Sequence, residues 1–198
     1  MVRLKPLLLL LIMIAELPRI AVAQIAYHWT LDGKSESYQI GLDSIVSYTG
    51  RPSICINATT ESRGFISLSR WFKADLYRRK RVRLSAYLKS VDVNDWAGLW
   101  MRIEGERASE FTPVPILDSM HSRPIKGTTE WTRYELVLEV PERANRIFFG
   151  FLFSGLGTVW GDSFEFGVVD ARAPITTMKS GSDGRPQHPI NLDFEQFE

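Results

Sequence analysis

The chain has 198 residues, with 24 basic against 23 acidic, a single cysteine and 44% hydrophobic residues. So even a balance argues against nucleic acid as a partner, which calls for a strong basic excess. The lone cysteine excludes an intrachain disulfide, so the core must hold by burial alone.

The first residues read as an export signal. Arg3 and Lys5 precede the unbroken apolar run 7–14, and Ala21-Val22-Ala23 gives a small-x-small end before Gln24. These are the charged, apolar and cleavage regions of a secretory signal peptide. The apolar run is shorter than the roughly 20 residues that a bilayer crossing needs. Cleavage after Ala23 removes three basic residues and one acidic, taking the net charge from +1 to −1. The expected location is secreted or periplasmic, and the remaining length suits one domain.

After Gln24 nothing has the period of a long amphipathic helix. Short apolar–polar alternations recur instead, bounded by Gly, Pro, Asp, Asn and Ser. In chain order, strands are expected over 27–31, 38–42, 53–57, 64–72, 82–89, 96–104, 134–140, 147–153 and 160–168. The segment 147–153 is almost wholly apolar, as suits a central strand buried on both faces. Turns are expected at Asp32-Gly33, Gly50-Arg51-Pro52, Asn94-Asp95, Gly127-Thr128 and 154–157, and a protruding loop over 105–115. About ten strands without covering helices predict an all-β antiparallel sandwich of the jelly-roll kind over 24–170. Residues 171–189, rich in Ser, Gly and Pro, read as a linker or wrapping tail. Residues 190–198 either return as an edge strand of the sandwich or begin a further domain.

Several segments resemble known modules. Tyr48-Thr49-Gly50-Arg51-Pro52-Ser53 is similar to the turn, and 76–89 to a strand, of galactose-binding-like carbohydrate-binding modules. The segments 98–102, 118–120, 123–134 and 155–160 resemble an accessory sandwich domain. That domain accompanies erythromycin-esterase-like enzymes, tail-specific-protease-like enzymes and some arabinose-regulator-type transcription factors. The resemblance covers most of the mature chain and implies a jelly roll. It also implies a structural calcium, which by position Asp162 and Glu195 would hold; oxygen ligands suit that cation. The usual opening strand of such modules is absent after Gln24, and its pattern stands instead at Asn191-Leu192-Asp193-Phe194-Glu195.

Six tryptophans are the main functional lead. If Leu99, Met101 and Ile103 face the core, the two-residue period turns Trp100 and Arg102 the other way. An outward aromatic beside a guanidinium is a surface on which a sugar or peptide can stack. Trp131 and Trp160 are further ligand-binding candidates, although sandwich strands also bury such rings against loops.

Other signals are weaker. The basic run Arg78 to Arg83 reads as a solvated turn. Asn57-Ala58-Thr59 is a glycosylation acceptor in a eukaryotic host. Cys55 reads as a small buried hydrophobe. His28, His121 and His188 belong to no metal motif, and no G-x-S-x-G elbow occurs. Glu104, Glu106, Glu110 and Asp118 gather near the loop, but two carboxylates must flank a cleft to cleave glycosides. The residues predict an exported, non-catalytic binding module for a carbohydrate or glycan, without cofactor except that calcium. The alternatives are a protein-interaction or structural subunit of an envelope or secreted enzyme, and a hydrolase with an unrecognised site.

Overall fold

The computed structural model describes residues 29–33, 35–58, 60, 64–105 and 116–176. The signal peptide (1–23), the segment 190–198 with Glu195, most of the 105–115 loop, Glu106, Glu110, His28 and His188 lie outside the described residues. Within them, alternation becomes nine strands: β1 (Thr30–Gly33), β2 (Tyr38–Asp43), β3 (Ser53–Ala58), β4 (Phe65–Lys73), β5 (Arg81–Gly105), β6 (Ile116–Asp118), β7 (Ile125–Glu139), β8 (Ala144–Ser154) and β9 (Thr158–Val169). Two single-turn 3-10 helices, Ser35–Ser37 and Asp75–Tyr77, are the only helical elements among the described residues. The protein is all-β, and every strand pairing is antiparallel.

The strands make one curled sheet because β5 serves two layers. Its residues 81–91 pair with β9 on one side, and β7 runs along the other. Its residues 96–105 pair with β8 and, over Met101 to Ile103, with β6. The front layer therefore runs β1-β4-β8-β5-β6 and the back layer β7-β5-β9-β3-β2.

Here the structure corrects the expected turn at Asn94-Asp95. The chain does not reverse there; it bends forward from one layer into the other. Register against β7 slips between Leu88 and Ser90, Ser90 and Val93, and Val93 and Ala97, and Asp92 sits at φ 53°. Each bulge adds twist and re-aims the strand. Asn94 and Asp95 then hold the neighbouring turn: the Leu156 N–H donates to Asn94 Oδ1 and the Ser154 hydroxyl to Asp95 Oδ2, both at 2.6 Å. Gly127, another expected turn, lies inside β7 at φ 71° as a bulge. Gly157 does lie in a tight connection, which carries the chain from β8 in the front layer to β9 in the back; its φ is 118° and a Cβ would stand 2.6 Å from the Val91 and Asp92 carbonyl oxygens.

The core fills the space between the layers. Ile66, Leu68, Leu99, Met101, Ile147, Phe151 and Phe153 enter from the front, and Ile56, Val82, Leu84, Leu88, Leu136, Leu138 and Val159 from the back. Burying each such side chain contributes about 1.5–3 kcal/mol before entropy is counted. Rings bridge the two layers: Phe151 meets Phe164 at 5.7 Å, Phe149 meets Phe166 at 5.8 Å, and Phe72 meets Phe166 edge-on at 4.9 Å. Residues 171–176 lie along β7, where the Thr176 N–H donates to Val137 O at 2.9 Å and Arg81 Nη1 donates to Ala173 O. That contact occupies an edge which would otherwise present unpaired backbone groups.

Candidate functional site

Alternation along the front layer decides which side chains lie on its outer side, where Ser67, Ser69 and Leu152 are nonetheless buried. With Ile66, Leu68 and Phe72 of β4 turned inward, Ser67, Ser69, Trp71 and Lys73 point out. Phe148, Gly150 and Leu152 of β8 do the same, as do Gly98, Trp100, Arg102 and Glu104 of β5. The register assembles these residues into rungs across three strands: Lys73–Arg146–Glu104, then Trp71–Phe148–Arg102, then Ser69–Gly150–Trp100.

The second and third rungs form a continuous strip of rings and cations. Trp71 and Phe148 lie 6.2 Å apart at 33° between planes. The Arg102 guanidinium stands over Phe148 at 4.7 Å and over Trp100 at 5.9 Å, and Arg146 stands over Trp71 at 5.7 Å. Such contacts hold rings and cations in register at about 0.5–2 kcal/mol each. Arg102 also pairs with Glu104 at 2.9 Å. The Trp100 indole reaches back over β8 and donates from Nε1 to Ser67 Oγ at 2.8 Å. Gly150 allows the close approach of β4 behind it, since a Cβ there would fall 2.0 Å from Leu68 O. Trp71 is 54% exposed, so one indole face of the strip is open.

The back layer presents a second aromatic group. Tyr48 stacks on Tyr87 with centroids 3.8 Å apart, and Trp131 stands 5.9 Å from Tyr48. The chain's own turn holds this group in place, and Tyr48 is itself 44% exposed. Asp162 accepts hydrogen bonds from the N–H groups of Tyr48 and Thr49 and from the Thr49 hydroxyl, which pins the 47–51 turn over the sheet. Trp160 donates from Nε1 to Asp43 Oδ2 at 2.9 Å. Burial opposes ionisation of Asp43, but hydrogen bonds from Val46 N–H, Trp160 and Ile45 N–H hold its carboxyl below the ordinary value. Charges on this face are paired: Lys89 with Glu130, and Arg83 and Arg133 with Glu135.

The structure therefore separates the four expected ligand-binding residues. Trp100 and Arg102 share the front face; Trp131 and Trp160 belong to the back. Asp162, expected to hold calcium, is surrounded by N–H and hydroxyl donors, and among the described residues no group of three metal-ligating side chains occurs. The calcium expectation thus rests on Glu195, outside the described residues. Of the acidic residues near the loop, Asp118 is 1% exposed and paired with Arg123 at 2.7 Å, a structural role. Four of the five cations of the basic run have carboxylate partners, as Arg78–Asp75, Arg79–Glu142, Arg81–Glu139 and Arg83–Glu135, and Lys80 donates to Leu76 O. Burial, then the Asp43 charge, pushes the Cys55 thiol up to about 12, so it stays protonated and unreactive near neutrality.

Trp71, Phe148 and Arg146 were not singled out by sequence. Period two places Trp71 outward on β4, opposite Ile66 and Leu68, so that part was accessible. The pairing of β4 with β8 and of β8 with β5 is non-local, and only the fold supplies it.

No family model matches the chain. An uncharacterized HTH-type transcriptional regulator of Bacillus subtilis (strain 168), YbfP, is 36% identical over 171 residues, which are 85% of this chain and 56% of that protein. The chain thus spans little more than half the length of this curated relative. The enzymatically active domain of Bacteriophage CBA120 tailspike protein 4 superposes with a TM-score of 0.56 at 16% identity, covering 73% of this chain and 20% of that one. The CBM22-1 xylan-binding domain of Paenibacillus barcinonensis Xyn10C gives a TM-score of 0.48 at 16% identity, over 74% of this chain and 88% of that one. The tailspike likeness is one of fold.

Proposed function

We propose that this sandwich is a non-catalytic carbohydrate-binding module that takes its ligand on the outer face of the front layer. The observation that carries the reading is the open strip of Trp71, Phe148 and Trp100 with Arg102 lodged among them. Pyranose rings present C–H faces that stack on such indoles, while hydroxyls seek polar side chains at the rim. Ser69, Asp32 and Glu104 supply acceptors and donors on the same face, Ser69 already bonding Asp32 at 3.3 Å. The back face offers Tyr48, 44% exposed and already stacked on Tyr87, whereas the front face offers the larger, 54% exposed indole of Trp71, which makes the front the better receptor.

A binding role also accords with the regulator of Bacillus subtilis, where a module of this kind would accompany a DNA-binding region. A sandwich that recognises a small polymer or sugar can serve both a regulator and an exported chain. Export is part of the proposal here, because of the residues before Gln24, and the mass of the mature protein recovered outside the cytoplasm tests it. A chain retained intact in the cytoplasm contradicts it.

Affinity electrophoresis through a panel of soluble polysaccharides tests the binding itself. Wild type is expected to be retarded by at least one polymer, Trp71→Ala to lose that retardation, and Trp131→Ala to keep it. Loss in Trp131→Ala with Trp71→Ala unaffected would move the site to the back face. No retardation of wild type on any polymer would remove the carbohydrate reading in favour of a protein-docking role.

A further inference from the structure

Charge is distributed unequally over the two outer faces. On the back face Lys89 pairs with Glu130, and Arg83 and Arg133 share the carboxylate of Glu135. On the front face Arg102 is paired with Glu104, but Lys73 and Arg146 have no carboxylate within ion-pair distance among the described residues. These two cations are direct cross-strand neighbours, Lys73 opposite Arg146. Side chains so placed are about 5 Å apart at Cβ. They stand one rung from Trp71 and Phe148, and the Arg146 guanidinium already lies over the Trp71 ring at 5.7 Å.

Two like charges placed side by side repel by a few tenths of a kcal/mol or more unless an anion joins them. The chain's own net charge gives no reason for them, since it is close to zero. We infer that the front face recognises a carboxylate-bearing sugar, a hexuronic acid unit of an acidic polysaccharide, rather than a neutral glycan. This rests on the proposed carbohydrate reading and narrows it to a substrate class. The pyranose ring stacks on the open indole of Trp71, and the carboxylate, which projects from the ring edge, reaches the adjacent rung. There Arg146 offers a planar fork to its two oxygens and Lys73 a point charge beside it. Glu104 limits the positive field, so the site discriminates by local geometry and not by attraction over distance.

The test measures retardation at about 0.15 M salt, where exposed charges separated by more than about 8 Å are screened. The probes are polygalacturonate, the same polymer with its carboxyls methyl-esterified, neutral xylan, and dextran sulfate. Wild type is expected to bind polygalacturonate about tenfold or more tightly than its ester. The exposed double variant Lys73→Gln with Arg146→Gln is expected to lose that preference and keep the weaker binding to the ester. Trp71→Ala is expected to lose both. Equal binding of free and esterified polymer by wild type overturns the inference and leaves the carbohydrate reading standing. Stronger binding of dextran sulfate than of polygalacturonate overturns the carboxylate assignment. Binding to polygalacturonate that survives Trp71→Ala also overturns it, since it would mark ion exchange without ring recognition. Failure to bind any of the four overturns both readings.

Discussion

Gly150 and Asp43 show how single residues fix the two outer faces. Gly150 lies in the middle rung of the front strip, beside Trp100, with Leu68 O where its Cβ would go. Gly150→Ala is expected to destabilise the fold by about 1–3 kcal/mol as β4 is pushed away. Chemical denaturation measures this; an unchanged midpoint would mean that the strands separate freely and that the strip is not held by close approach. Asp43 acts on the back face. Its folded carboxyl lies below the ordinary value of 3.8, so its hydrogen bonds contribute stability that is present above that value and lost as pH falls through the folded one. In Asp43→Asn that acid-limb loss should shrink, measured as the difference in unfolding free energy between pH 6 and pH 3. An unaltered acid limb would show that the bonds from Val46, Trp160 and Ile45 carry no net energy.

Strands were the most readable elements, and the reason is physical. Period two survives wherever one side of a strand is buried and the other wet, so β3, β4, β8 and β9 emerge within a few residues of their expected bounds. Leu99 and Trp100 fall on opposite faces, as the alternation requires. The same pattern showed both halves of β5, over 82–89 and 96–104, but not their continuity, because a bulge looks like a turn in sequence: Asn94-Asp95 carries turn residues, yet the backbone continues forward through Asp92 at φ 53°. β6 is three residues long and carries too little pattern to be found. The site was half legible: Trp100 and Arg102 follow from alternation, whereas Trp71, Phe148 and Arg146 join them only through pairings between distant segments. The inner and outer faces of the front layer should also differ in cost. Leu99→Ala removes a fully buried side chain and should cost about 2–5 kcal/mol. Trp71→Ala, on the open face, loses only its contacts with Phe148 and Arg146 and should cost about 1 kcal/mol in thermal or urea unfolding. Comparable losses for the two would mean that Trp71 is a packing residue and not a receptor surface.

At the scale of the molecule, ten aromatic residues of a sandwich without disulfides fall into three groups. Phe149, Phe151, Phe164 and Phe166 join the layers. Tyr48, Tyr87 and Trp131 gather at the turn pinned by Asp162, with Tyr48 part of the turn itself. Trp71, Phe148 and Trp100 remain as a strip on the outer face, ending in a rung where Lys73 and Arg146 stand beside the single carboxylate of Glu104. That partition is the central claim, and the six indole N–H signals in a proton–nitrogen correlation spectrum report on it directly. Titration of the folded protein with an oligogalacturonate should shift the Trp71 and Trp100 signals together and leave those of Trp131 and Trp160 in place. Movement of Trp131 and Trp160 with Trp71 and Trp100 unchanged would contradict the account.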